Sequence, residues 1–262
     1  MRKTTDYRLT AILLMVHTLL LAVGFNVLVA VFEFPDVLRM PAEYRLNLFL
    51  ANSSIIIPTY YALALTGLTQ VALAVMLYQV LETNRDSLLL LATTFGVLTG
   101  LFQVLGFIRW PVLIAYLATT MQNVESNGLS PAVIAFMEGA FNHYAGMTVG
   151  EHLGFLAQAI WTTLLGVVML RSKLFHRSLG WFSIAIGLLS FPMSLEPLGE
   201  IFAPLAVLSV PLNGAWLIVL FVMAISLLRT NAAIGEGMVL GWRTLAISTL
   251  IWVMATAPAM IG

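Results

Sequence analysis

The chain has 262 residues, of which 60% are hydrophobic and only 9% are charged, and its formal net charge is zero. A mean hydropathy of +0.97 excludes an ordinary soluble domain, in which about 25% of residues are charged. The absence of a basic tract excludes a nucleic-acid partner, and the absence of cysteine excludes disulfides, thiolate metal sites and cysteine nucleophiles. The composition therefore predicts an all-α polytopic membrane helix bundle, a single integral membrane domain over residues 1–262 whose partner is the lipid bilayer.

About seven transmembrane helices are expected, with short extracytoplasmic or re-entrant helices between them. Residues 9–32 form the first span, which is uncleaved because its apolar run exceeds that of a signal peptide. Pro58 is expected to break the apolar stretch after the charged linker 33–45, leaving a shorter helix or re-entrant piece over 46–57. The other spans are expected at about 58–81, 88–108, 149–170, 179–195, 204 or 211 to 228, and 239–261.

Two proline motifs divide the middle of the chain. Arg109-Trp110-Pro111 places a cation, an interfacial ring and a helix breaker in succession, and predicts the end of the third span. Residues 112–121 are then too short to cross a membrane. Ser130-Pro131 is typical of an N-cap followed by proline at the first helical position, and predicts a new helix that carries Glu138 and Asn142.

The distribution of Lys and Arg predicts the orientation. With the N-terminus in the cytoplasm, nine of these residues face the cytoplasm and three, Arg39, Arg45 and Arg109, face outward. The C-terminus is then extracytoplasmic. Most acidic residues and the short helices fall on the outer side, which predicts an outward-facing polar pocket.

The stretch from Glu138 to Phe155 holds two of the four histidines and two carboxylates in apolar surroundings. In one continuous helix over 131–171, Glu138, Asn142 and His152 share a face, while His143 and Glu151 point the opposite way. A break near Gly146 instead gives a capping box, with Thr148 as the cap and Glu151 folding back on it, and lets His143 approach His152. We favour the break. The candidate ligand-binding residues are Arg109, Trp110, Glu138, Asn142, His143, Glu151 and His152.

Each candidate also has a structural interpretation. Glu151 is explained equally well as a helix cap. Arg109 is explained by extending to the lipid headgroups beside Trp110. A Gly-x-x-x-Gly stripe predicts close helix packing and is compatible with a homo-oligomer; its members are Gly146, Gly150 and Gly154. Ionisable residues inside a membrane are costly, however, and several at one depth favour a functional site.

A metal site is one chemistry compatible with these residues. Zinc or iron suits imidazole and carboxylate ligands, and the candidates are His143, His152, Glu138 and Glu151. The spacings of metalloprotease motifs are absent, so the metal prediction is weak. His17 and His176 are interpreted as structural or solvated, and a bis-histidine haem is disfavoured because His17 and His152 lie at different depths.

Several pieces together resemble a known family: Gly106-Phe-Ile-Arg-Trp-Pro111, Phe141-Asn142 with Gly146, Gly150-Glu-His-Leu-Gly154 with Trp161, and Leu179-Gly-Trp181. They are similar to the bacterial multi-span membrane family catalogued as domain of unknown function 4386. The resemblance covers roughly residues 10–228 and implies a bacterial cytoplasmic-membrane protein. It transfers no catalytic role, but it implies that Arg109, Trp110, Glu151 and His152 belong to a common pattern.

Three functions follow as hypotheses. The first is binding or transport of a small anionic or amphiphilic ligand through the outward pocket, which Pro and Gly interruptions near the site favour. The second is an intramembrane enzyme, metal-dependent or not, that acts on a lipid-like substrate. The third is a helix-packing or sensory partner that binds no ligand, in which the glycine stripe matters more than the charges.

Overall fold

The computed structural model describes residues 2–81 and 86–232, which form helices and short connections without a strand. The ten α-helices in this part of the chain are α1 (Arg2–Phe32), α2 (Ala42–Ala51), α3 (Ser53–Leu81), α4 (Ser87–Arg109), α5 (Ala115–Gln122), α6 (Val124–Asn127), α7 (Pro131–Phe141), α8 (Gly154–Arg171), α9 (Arg177–Met193) and α10 (Ser209–Ala232). Two π-helical segments, Trp110–Ile114 and Asn142–Leu153, connect α4 to α5 and α7 to α8. Three 3-10 helices, Asp36–Arg39, Glu196–Leu198 and Glu200–Leu208, lie in the connections.

Six helical stretches are long and apolar enough to cross a membrane, so the prediction of a polytopic helix bundle is confirmed. They are Asp6–Phe32, Ser53–Leu81, Ser87–Gln122, Pro131–Arg171, Arg177–Leu198 and Glu200–Thr230. The predicted seventh span, at about 239–261, lies outside the described residues.

Neighbouring spans run antiparallel, which gives the bundle two ends. α3 packs against α4 and α8 against α9, while α1 lies between α3 and α10. Gly67 and Gly100 allow α3 and α4 to approach closely, because a Cβ on either glycine would come within 2.5 Å of the other's carbonyl oxygen. At one end, Arg171 forms an ion pair with Asp86 at 3.9 Å. The other end, where α1 ends and α3 begins, is called the polar end below.

Pro58 does not break the chain where the sequence predicted. It lies inside α3, which already begins at Ser53, and the interruption falls instead at Asn52, the residue after α2. A proline near the start of a helix forgoes one backbone hydrogen bond but has a helical φ. The second span is therefore longer than expected, and the short helix before it is α2.

The predicted helix end at Pro111 is also wrong. Helix α4 continues through the π-helical turn Trp110–Ile114 into α5, so that one helical stretch covers Ser87–Gln122. The wider turn accommodates a residue without a backbone N–H, and it keeps the other backbone groups hydrogen-bonded inside the chain, as lipid surroundings require.

The favoured break near Gly146 is wrong as well, since a continuous helical stretch runs from Pro131 to Arg171. Its start is as predicted: the Ser130 hydroxyl accepts a hydrogen bond from the Val133 N–H at 3.4 Å. The Thr148 hydroxyl donates to the His143 carbonyl five residues back, at 3.0 Å. Thr148 therefore satisfies an acceptor within the π-helical segment and does not cap a new helix.

Candidate functional site

The polar end is covered by residues 33–52, which comprise the charged segment 33–45 and the rest of α2 up to Asn52 and are called the linker from here on. The linker folds over the π-helical segment Asn142–Leu153. Its 3-10 helix carries Arg39, and α2 carries Arg45. Both arginines reach carboxylates on other parts of the chain. The linker is therefore attached to the bundle by charge pairs as well as by apolar packing.

The most deeply buried charges are those of Arg45 and Glu138, with exposed fractions of 5% and 0%. The Arg45 Nε–H donates to Glu138 Oε1 at 2.9 Å, and its Nη2 contacts the second carboxylate oxygen, so the pair is bidentate. The remaining Nη1 donates to the Met40 carbonyl. This buried ion pair compensates two charges that would each be costly alone.

Arg39 forms a second, more exposed cluster with two carboxylates. Its Nη2 lies 2.5 Å from Glu151 Oε2 and 2.6 Å from Glu196 Oε2, and its Nε–H donates to Glu196 at 3.0 Å. Burial lowers the pKa of the Arg39 guanidinium, but the hydrogen bonds and charges of Glu196 and Glu151 outweigh that effect and raise the pKa above its ordinary value. Arg39 therefore joins the linker to two separate helical segments.

Glu151 does not cap a helix. Its carboxylate contacts Arg39, and α8 begins at Gly154 without a side-chain cap. The capping interpretation is therefore wrong, because the helix has no free N-terminus at this point.

Arg109 differs from the two linker arginines. Only 8% of its surface is exposed, yet its recorded hydrogen bonds are to neutral acceptors, the Gly106 carbonyl and the Asn142 side-chain oxygen at 3.2 Å. Among the described residues no carboxylate forms an ion pair with it, and its Nε has no hydrogen-bond partner. Glu151 and Glu138 interact with its charge only at longer range.

A cluster of aromatic rings lies beside Arg109, consisting of the buried Phe32, Phe49, Tyr60 and Trp110 and the half-buried Phe107. The Trp110 ring stacks on Tyr60 with centroids 4.9 Å apart, and the Arg109 Cζ lies 5.1 Å from its centroid. Trp110 is buried, so the interpretation that Arg109 extends to headgroups beside an interfacial ring is wrong. The buried Tyr60 hydroxyl has no hydrogen-bond partner among the described residues.

Asn142 connects Arg109 to the linker. Its side-chain oxygen accepts from Arg109, while its Nδ2–H donates to the Leu38 carbonyl at 3.4 Å. Gly146, one turn later, leaves space for the guanidinium, because a Cβ there would lie 2.5 Å from Arg109 Nη2. The π-helical segment thus provides both a contact and the room for this arginine.

The two histidines of this stretch do not converge. His152 Nδ1 lies 2.6 Å from the Ser194 carbonyl oxygen, so this nitrogen carries the proton and a neutral ring has an unprotonated Nε2. His143 is exposed, and its recorded hydrogen bond is made by its backbone carbonyl. The expected approach of His143 to His152 is wrong, because it required the chain break that the continuous helix excludes.

No group of three potential metal ligands occurs among the residues that the structure describes. Glu138 and Glu151, two of the four predicted candidates, contact arginines instead. The other two candidates are His152, which contacts a backbone carbonyl, and His143, whose side chain is exposed.

The predicted glycine stripe is confirmed as a packing surface. A Cβ on Gly150 would lie 3.1 Å from the Gly106 Cα, and one on Gly154 would lie 3.7 Å from the Phe102 Cβ. The stripe therefore lies against α4 of the same chain.

Sequence reasoning missed four members of the polar end: Arg39, Arg45, Tyr60 and Glu196. Arg39 and Arg45 had been used only to predict orientation. Two cations that are predicted to lie on the same side as most of the acidic residues are a sufficient indication that they form ion pairs there. The sequence contains no comparable indication for Tyr60, which is one aromatic residue in a long apolar span.

Comparison with known proteins gives a match to a family model. The family model described as "Domain of unknown function (DUF4386)" matches residues 9–242, which is most of the chain. No curated protein and no solved structure matches it.

Proposed function

The chain belongs to the DUF4386 family, and from that premise we propose that this multi-pass membrane protein binds or transports a small anionic or amphiphilic ligand at its polar end. The family description supplies no activity, so the proposal depends on the geometry of the site. The observation that carries it is Arg109, a buried cation that forms no ion pair among the described residues.

The comparison with the other two arginines makes the argument. Arg45 is neutralised by Glu138, and Arg39 contacts two carboxylates. Arg109 is more buried than Arg39 but has only neutral acceptors, and its Nε–H is unused. A buried charge of this kind costs several kcal/mol unless it is paired, and a bound anion supplies the missing pair.

Tyr60 adds a second unused donor. Its hydroxyl is buried without a hydrogen-bond partner among the described residues, and its ring stacks on Trp110, the ring that the Arg109 guanidinium contacts. A carboxylate or phosphate oxygen accepts hydrogen bonds from both guanidinium and phenol groups. The aromatic cluster is suited to contact an apolar part of the same ligand, which favours an amphiphilic anion.

We further propose that the protein resides in a bacterial cytoplasmic membrane, with the N-terminus in the cytoplasm and the polar end facing outward. The family resemblance supports the bacterial source, and the excess of Lys and Arg on the other side supports the orientation. The basic turn that contains Arg171 and Arg177 is then cytoplasmic. The proposed extracytoplasmic C-terminus lies outside the described residues.

Ligand binding is tested with decanoate, using decanol as an uncharged analogue of the same chain length. The protein is purified in an uncharged detergent, and thermal unfolding is followed at increasing concentrations of each compound. We expect decanoate to raise the Tm saturably and decanol to have a much smaller effect, since a ligand that binds the native state stabilises it.

Two matched variants assign the effect. Arg109→Gln is expected to abolish the decanoate-dependent rise in Tm, while Arg39→Gln, which removes an exposed cation at the same end, is expected to retain it. Equal responses of Arg109→Gln and the wild type would contradict the assignment of Arg109.

A further inference from the structure

Four helices bring unpaired polar groups into the interior of the bundle, well away from the polar end. His17 on α1 and Gln70 on α3 are 0% exposed, Thr162 on α8 is 3% and Trp216 on α10 is 4%. The atoms without a hydrogen-bond partner among the described residues are His17 Nε2, Gln70 Oε1 and Nε2, Thr162 Oγ1 and Trp216 Nε1. Buried polar groups of this kind are normally hydrogen-bonded.

These residues lie within about 7 Å of one another in depth. At 1.5 Å per residue, His17 is about 16 Å from the Asp6 end of its span, and Gln70 is about 16 Å from the Leu81 end. By the same measure, Thr162 is about 14 Å from the Arg171 end, and Trp216 is about 21 Å from the Thr230 end. All four of these span ends lie at the end of the bundle where Arg171 meets Asp86, so the unpaired groups share the middle of the membrane-spanning region.

Contacts between the side chains bring the groups together laterally. The rings of His17 and Trp216 meet edge to face with centroids 6.2 Å apart, and Trp216 meets Trp161 at 6.1 Å. The Thr69 hydroxyl lies 2.7 Å from His17 Nδ1. Thr162 lies one turn after Gln158, which donates to the Asn213 side chain on α10 at 3.1 Å, so Thr162 shares the face of α8 that meets α10. Gln70 lies one turn before Ala74, and a Cβ on Gly96 would lie 2.8 Å from the Ala74 Cβ and 2.7 Å from Trp161 Nε1, so Gln70 shares the face of α3 that is turned towards Trp161.

The hydrogen bond to Thr69 assigns the His17 tautomer. The Thr69 hydroxyl donates its only proton to the Thr66 carbonyl at 2.8 Å, so its oxygen must accept from His17 Nδ1–H. In the neutral ring, Nε2 is then an unprotonated acceptor. Trp216 Nε1–H is a donor, and the side chains of Gln70 and Thr162 each provide both functions.

The interior site differs from the polar end because its side chains are uncharged. The ion pairs of the described residues lie at the two ends of the bundle, on Arg39, Arg45 and Arg171. The interior groups are neutral, and they combine acceptors with donors. A hydroxyl group, which both donates and accepts, matches such a set, whereas an ion would find no opposite charge.

We propose that His17, Gln70, Thr162 and Trp216 form a second binding site, which takes an uncharged hydroxyl-bearing molecule. Its hydroxyl donates to His17 Nε2 and accepts from Trp216 Nε1–H. Water and a small organic alcohol both provide this chemistry. The site does not depend on the ligand of Arg109, and it differs from that site in charge and in depth.

Nitrogen-15 NMR of side-chain-labelled protein in lipid nanodiscs tests the site directly. We expect the His17 Nε2 resonance, assigned by its loss in His17→Leu, to have the shift of a hydrogen-bonded acceptor. We also expect the Trp216 indole proton to have the shift of a hydrogen-bonded donor. In Trp216→Phe the histidine shift should change, whereas Trp181→Phe, which alters an exposed tryptophan on α9, should leave it as in the wild type.

Native mass spectrometry distinguishes the two sources of the hydroxyl. If the ligand is an organic alcohol, the wild type and Trp181→Phe carry an added mass that Trp216→Phe lacks. If the ligand is water, the protein has its bare mass, and the NMR spectrum contains a cross-peak between Trp216 Nε1–H and water. Either result supports the proposal. A His17 Nε2 resonance at the position of a free acceptor, with no water cross-peak and no added mass, would overturn it.

Discussion

Removing the negative charge from the buried ion pair is expected to destabilise the protein strongly. In Glu138→Gln, the shape of the side chain is kept, but Arg45 remains 5% exposed with no carboxylate partner. Breaking a buried pair on one side costs about 3–5 kcal/mol, because the remaining charge is desolvated and uncompensated. We expect a loss of this size in the free energy of unfolding.

The comparison variants separate the charge effect from packing. Arg45→Met combined with Glu138→Leu removes both charges, and we expect it to recover most of the loss, since apolar replacement of a whole pair is often neutral or stabilising by about 1–4 kcal/mol. Arg39→Gln removes ion pairs of a side chain that is 37% exposed. Pairs of that kind contribute only about 0–1 kcal/mol each.

Reversible unfolding in mixed micelles, with increasing SDS, measures these differences. With Arg45→Met and Glu138→Leu also measured singly, a double-mutant cycle gives the coupling energy between Arg45 and Glu138 directly. If the double variant were as unstable as Glu138→Gln alone, the loss would come from packing, and the argument from an uncompensated charge would be refuted.

Three further predictions use other parts of the polar end. Arg109→Met is expected to unfold at a higher SDS concentration than the wild type when no anion is present, because it removes an unpaired buried charge; a clear loss of stability would instead indicate a structural role. Gly150→Ala is expected to lower the free energy of unfolding, because its Cβ meets the Gly106 backbone at 3.1 Å. Gly139→Ala, whose Cβ would have nothing within 4 Å, should leave the free energy of unfolding unchanged or raise it by up to about 1 kcal/mol. Arg39→Gln is expected to speed proteolysis of the linker at low salt, and the wild type in high salt should approach the rate of the variant, since exposed ion pairs are screened; a salt-independent difference would contradict this.

The overall architecture could be predicted because it depends on composition. Spans of about 20 apolar residues are visible directly in the hydropathy. The helix start at Ser130-Pro131 is determined by these two residues themselves, because an N-cap serine followed by proline is a local signal. The errors concern Pro58, Pro111 and Gly146, which were all interpreted as breaks. Pro58 lies inside α3, and at Pro111 and Gly146 a wide π-helical turn keeps the backbone hydrogen-bonded, as lipid surroundings require. Single-sequence patterns do not distinguish such a turn from an open interruption.

The part of the candidate site that depends on spacing within one helix could be predicted, and the part that depends on contacts between distant segments could not. Glu138 and Asn142 share a buried face, as the continuous-helix alternative required, while His143 lies on the exposed side. The partner of Glu138 is Arg45, 93 residues away. Pairing over that distance depends on how the linker folds back, and no spacing within either segment determines it.

That long separation has a consequence for synthesis. A chain elongated at about 5–20 residues per second exposes Arg45 on the order of 5 to 20 s before Glu138 has been made. During that interval the linker cannot adopt its final position, because the cation that must be buried has no counter-ion. Insertion of the stretch Pro131–Arg171, which carries Glu138, is thus the event that allows α1, α2 and α3 to reach their final positions, and the nascent protein completes its polar end late.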